Sequence, residues 1–208
     1  MVGLALVAAL LVVAAAVLVP RVVDDLDDDA PAVARGDDAD RGDEDAGGGE
    51  GEERPPGLED VLLVDDLNPE HRDDEDIDYE QVPPIGGPHD PEWLACGAFD
   101  EPVRDENAVH DLEHGTVWIT YDPSLADDEV AALEASLPED GIISPYPGLP
   151  APVVVTVWGA QLQLTGPDDP RLALFLDEYG DGSTAPEAFA SCEGGTDDPQ
   201  GGPEGVTV

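Results

Sequence analysis

The spacing that carries the most chemistry in this 208-residue chain is His110-Asp111-Leu112-Glu113-His114. Residues four apart share a face of a helix, so His110 and His114 would present two imidazoles to one point. Glu113, three residues from His110, leans to the same side. His89 follows a Gly86-Gly87-Pro88 turn that gives its loop a way to the helix end. Three neutral imidazoles suit zinc or copper. Glu113 would then be a fourth ligand, or an outer partner that fixes an imidazole tautomer. His71 falls in a polar stretch upstream and is read as part of a linker.

Two other readings of the same residues stand beside this one. The string matches the H-x-x-E-H pattern of inverted zinc proteases, in which two histidines hold zinc and the glutamate, here Glu113, is the general base. Against that hydrolase, the expected helix stops at Gly115, one residue past the motif. In the metal-free reading, His110 and His114 sit near the helix C-terminus and favour its unpaired carbonyls. The loop would then serve as a protein-interaction surface. The balance favours a binding module over an enzyme.

The two cysteines, Cys96 and Cys192, lie far apart and lack C-x-x-C spacing. An isolated pair in an oxidising compartment is expected to bridge. Two free thiols or a thiolate ligand are the alternatives.

The elements that must position these residues read as an α+β fold, a small antiparallel sheet with helices on one face. A helix is expected from Pro102 to His114, with Pro102 in its first turn and Gly115 just past its end. Strands are expected over Thr116 to Tyr121, from Ile142, over Pro152 to Trp158, and over Gln161 to Leu164. Ala126 to Leu137 and Asp168 to Tyr179 carry helical apolar stripes. The domain is expected over residues 76–193, which hold every aromatic residue of the chain.

Outside that domain the composition changes. Val2 to Val19 is an uncharged apolar run, long enough at 1.5 Å per residue to cross a bilayer. It lacks a basic start and a good small-x-small cleavage site, so residues 2–19 read as an uncleaved single-pass anchor. Arg21 argues weakly against an outward-facing domain, but the cysteine pair argues for one, on the extracytoplasmic side. Residues 20–75 read as a disordered acidic linker, and residues 194–208 as a disordered tail.

The chain holds 50 Asp and Glu against 7 basic residues, all arginine, for a net charge of −43. Such a surface repels phosphate and excludes a nucleic-acid partner. It fits a salty habitat, where ions screen the self-repulsion, or a basic partner.

Three strings are long and unusual: VPPIGGPHDPEWLACGA from Val82 to Ala98, EPVRDENAVHDLEHGTVWITY from Glu101 to Tyr121, and ISPYPGLPAPVVVTVWG from Ile143 to Gly159. In these the chain resembles DUF3105, a bacterial family known as a domain of unknown function. The resemblance covers about Ile77 to Cys192. It implies a membrane helix, a variable linker and then this domain, with His89, Cys96, Glu106, His110, Glu113, His114 and Cys192 at the family's motif positions. It carries no activity. The lysine-free composition and the N-terminus without a basic flank depart from the family pattern.

Overall fold

The computed structural model describes residues 55–73 and 75–201. The expected anchor and the expected linker as far as residue 54 lie outside the described residues. Among the described residues no helix is long and apolar enough to cross a membrane.

Nine elements follow one another: β1 (Leu62–Leu63), β2 (Gly97–Ala98), α1 (Asp105–Glu113), β3 (Val117–Tyr121), α2 (Asp127–Glu134), β4 (Gly141–Pro145), β5 (Val153–Val157), β6 (Ala160–Leu164) and α3 (Arg171–Tyr179). The strands form one sheet in the order β1-β6-β5-β3-β4-β2. The β5–β6 hairpin turns through Trp158-Gly159, where Gly159 takes a positive φ of 76°. β3 pairs antiparallel with β5, Ile119 opposite Val155.

The sheet is mixed, not antiparallel as expected. β3 runs parallel to β4, with Ile119 opposite Ile143, and β2 also runs parallel to β4. The chain returns from β3 to β4 through α2, and a helical crossover is what a parallel neighbour needs. The helices also lie on both faces of the sheet, not on one. Val117, Ile119, Ile143 and Val155 pack with Leu133 of α2 and with Leu172 and Phe175 of α3. The residues between them, Trp118 and Ile142, turn the other way, to Ala108, Val109 and Leu112 of α1. All five residues of β5 are consequently buried, as a β-branched run covered on two sides must be. Each large apolar side chain so buried stabilises the fold by about 1.5–3 kcal/mol relative to exposure.

The ordered domain reaches past both expected boundaries. Upstream, Leu58 and Val61 are buried in the main core, and β1 pairs with β6. Downstream, the Thr196 amide donates to the Trp93 carbonyl at 2.8 Å, and the Arg104 amide to the Pro199 carbonyl at 2.7 Å. These polar segments are held by backbone hydrogen bonds, which composition does not reveal. Cys96 and Cys192 are joined in a disulfide that closes a separation of 96 residues.

Candidate metal centre

Helix α1 is polar in sequence yet buried along nearly its whole length. A buried polar side chain is tolerable only with a partner. Here the partners are the irregular segments that surround the helix. Glu106 accepts from the Ile77 amide at 2.7 Å, Asn107 donates to the Glu92 carbonyl at 2.8 Å, and Asp111 accepts from the Leu94 amide at 3.0 Å. The helix thereby fixes a proline-rich loop that has no regular structure of its own. Burial pushes the Asp111 carboxyl well above its usual range.

The loop carries His89 to α1. Gly86 and Gly87 both adopt positive φ, at 135° and 124°, and a side chain on Gly86 would crowd the Trp158 indole. A short strap upstream pairs with this loop in turn. The Arg72 amide donates to the His89 carbonyl at 2.7 Å and the His89 amide to the Glu70 carbonyl at 3.0 Å. That pairing sets His71 beside His89.

The result is a cluster in which His71, His89, His110 and Glu113 each offer a donor atom, all within 4.8 Å of one another. Glu113 Oε2 lies 2.9 Å from His89 Nε2, 3.3 Å from His71 Nε2 and 3.9 Å from His110 Nε2. A tetrahedral ion about 2.0–2.1 Å from each donor would hold its donors about 3.3 Å apart. His114 stands at the rim. Its Nε2 is 3.0 Å from His110 Nε2 and 3.8 Å from Glu187.

The hydrogen bonds of the far ring nitrogens settle where the protons sit. Nδ1 of His89 meets the Gly87 carbonyl at 2.8 Å, Nδ1 of His110 the Asp90 carbonyl at 2.7 Å, and Nδ1 of His114 the Ser191 carbonyl at 3.2 Å. A carbonyl only accepts, so each Nδ1 carries hydrogen and the neutral ring keeps its lone pair on Nε2. The Nε2 atoms of His89 and His110 face each other and the Glu113 carboxylate, and that of His114 faces His110. Lone pairs this close repel unless a cation or a proton lies between them. Burial and the neighbouring imidazoles push His110 down to about 4, and burial lowers His114 as well. Protons therefore leave these two rings readily near neutral pH.

Charged partners brace the arrangement from outside. The Arg104 guanidinium donates to Asp90 at 2.8 Å, lies 3.2 Å from Glu106, and reaches the Glu75 carbonyl at 2.8 Å. Asp90 is the residue whose carbonyl orients His110. Trp93 packs against His110 and His114, and Trp158 meets His89 edge to face.

Of the residues picked from sequence, His89, His110 and Glu113 come together, and His114 meets the group at His110. His71, which reads as linker in the sequence, joins them in the structure. Two features of the sequence pointed to it: the apolar patch Val61-Leu62-Leu63-Val64 just upstream, which anchors the strap, and the absence of a histidine anywhere else but the cluster. The second group with ligand-like spacing, Cys96, Asp140 and Cys192, has its two sulfurs bonded to each other.

No curated protein and no solved structure matches the chain. The model of a family described as a protein of unknown function (DUF3105) matches residues 71–194, from His71 through every member of the cluster to just beyond Cys192, and the chain belongs to that family.

Proposed function

We propose that the domain binds a transition metal ion, zinc or copper, through His71, His89, His110 and Glu113. One observation carries this reading. His89 and His110, both buried, commit Nδ1 to backbone carbonyls, and their Nε2 atoms converge with that of His71 on the Glu113 carboxylate. Metal-binding histidines are oriented in this way by an acceptor on the far nitrogen. Glu113 stands among the donors, which speaks for a ligand rather than for the base of a hydrolase. The 2.9 Å contact of His89 with Glu113 also suits an imidazolium–carboxylate pair in a metal-free interaction module. That pair draws on two of the four convergent donors and gives no role to the approach of His71 and His110.

The placement we propose is a single-pass anchor at residues 2–19, with the domain on the extracytoplasmic face of the cell membrane. The disulfide supports an oxidising compartment. Titration of the tag-free chain with copper(II) and zinc(II) tests the metal reading: one ion bound at micromolar concentration near pH 7, lost in His110→Ala. Fractionation tests the placement. Recovery of the chain in the soluble fraction, with a new N-terminus after Ala16, would refute the anchor.

A further inference from the structure

The four donors differ in how firmly they are held. The side chains of His89, His110 and Glu113 are 0%, 5% and 6% exposed, whereas that of His71 is 49% exposed. His89 and His110 each have Nδ1 tied to a carbonyl of the loop. Among the described residues, the hydrogen bond of the His71 ring is the Nε2 contact to Glu113 at 3.3 Å. Turning that ring outward breaks this one part-buried contact, and the backbone pairing of the strap to His89 survives the turn. Three fixed donors with one replaceable position is the division of a metal site that exchanges ligands. Four fixed donors make a closed, structural one.

The space His71 would leave is shaped for a flat ring. Its imidazole stacks on that of His110, with centroids 4.9 Å apart and planes 27° apart, and stands edge to face on His89 at 4.8 Å. Resting on the metal reading above, we propose that His71 is a displaceable ligand and that an incoming imidazole takes its place on the ion. The Nε2 lone pair of the incoming ring replaces that of His71. One metal–nitrogen bond forms as another breaks, and the charge and oxidation state of the metal are unchanged. The site then passes ions to or from an imidazole donor. That donor is a histidine of an acceptor protein or a small histidine-like molecule.

The test uses the full chain without a histidine tag, wild type and His71→Gly, loaded with copper(II) or cobalt(II) as a spectroscopic ion. The variant is expected to keep the ion with affinity reduced about 10–100-fold, in the range seen when a supporting partner is lost. It should release the ion to a chelator at least about tenfold faster, and free imidazole should restore the wild-type spectrum and slow release. Adding a short histidine peptide in a separate arm, against free histidine, distinguishes the two sources of the ring. A variant identical to wild type in spectrum and release would show that His71 is no ligand, overturning the inference and leaving three donors. Complete loss of the ion, or no response to imidazole, would make His71 a fixed ligand and also overturn it. A wild-type chain that takes up neither ion would overturn the metal reading and this inference together.

Discussion

Replacing His89 with alanine separates metal binding from folding. The side chain is fully buried, donates to the Gly87 carbonyl at 2.8 Å and meets Glu113 at 2.9 Å. Without metal, the variant loses one hydrogen bond and the packing of a ring against Trp158, about 2–3 kcal/mol together. Part of that is offset, because the carboxylate no longer faces a lone pair. In a domain of this size 1 kcal/mol moves Tm by about 3 °C, so the metal-free variant should melt lower by at most about 6–9 °C and still cooperatively. An ion at 100 times its Kd stabilises the folded wild type by about 2.7 kcal/mol, a rise of about 8 °C. His89→Ala should show almost none of that rise. Differential scanning calorimetry of both chains, with chelator and with excess zinc or copper, measures all four values. A variant that melts cooperatively and keeps the full metal-induced rise would refute the assignment of His89. A variant that no longer folds would show that the loop depends on this ring for more than the metal.

Acidification should expose the depressed His110 imidazole. Its folded value of about 4 lies below the usual 6.5 of an unfolded chain, so the unfolded state binds the proton first. The stability His110 contributes is full above pH 6.5 and is lost as pH falls towards 4. The difference between wild type and His110→Gln in denaturation midpoint across that window isolates the effect from other buried acids such as Asp111, and a flat difference would contradict it. Arg104→Ala should weaken metal binding about 10–100-fold, because Asp90 then loses the guanidinium that steadies it. It also takes from Asp90 and Glu106 the half-buried guanidinium they share, while each keeps a backbone amide donor, a destabilisation of about 1–3 kcal/mol. Arg104→Lys should recover little, lacking the planar fork. Removing the disulfide as Cys96→Ser with Cys192→Ser should lower stability by up to about 4–5 kcal/mol, the chain-entropy value for so long a loop. It should also speed amide exchange around Thr196, and an unchanged denaturation midpoint would show that the backbone pairing there suffices.

What the sequence made legible was local. The stop of α1 at Gly115, the strand over Val117–Tyr121 and the run over Val153–Val157 were readable, but the start of α1 was not: the helix begins at Asp105 after an extended Arg104, and Pro102 lies outside it. The i, i+4 pair did place His110 and His114 on one helix face, and the glycines before His89 did mark a loop bent towards it. What failed to show was whatever rests on pairing between distant segments. The parallel partnership of β3 with β4 and the packing of α1 opposite α2 and α3 depend on the path of the crossover, which periodicity does not report. β5 held a hint, since an unbroken Val-Val-Val-Thr-Val run signals burial on two faces. The strap with His71 and the segment around Thr196 are polar and gain their order from backbone hydrogen bonds to the loop that α1 organises. Composition scores such stretches as chain that cannot bury enough apolar surface, and Leu58 and Val61 were too few to reverse that.

The central claim is that the convergent lone pairs of His71, His89, His110 and Glu113 hold an ion. It is tested most directly by elemental analysis of the full chain, purified without a histidine tag and without chelator, before and after equilibration with zinc and copper. The account predicts about one equivalent of zinc or copper per chain. His89→Ala and His110→Ala, purified alongside, should carry close to none. A folded wild-type chain that holds neither metal as purified, and takes up neither at micromolar concentration near pH 7, would contradict it.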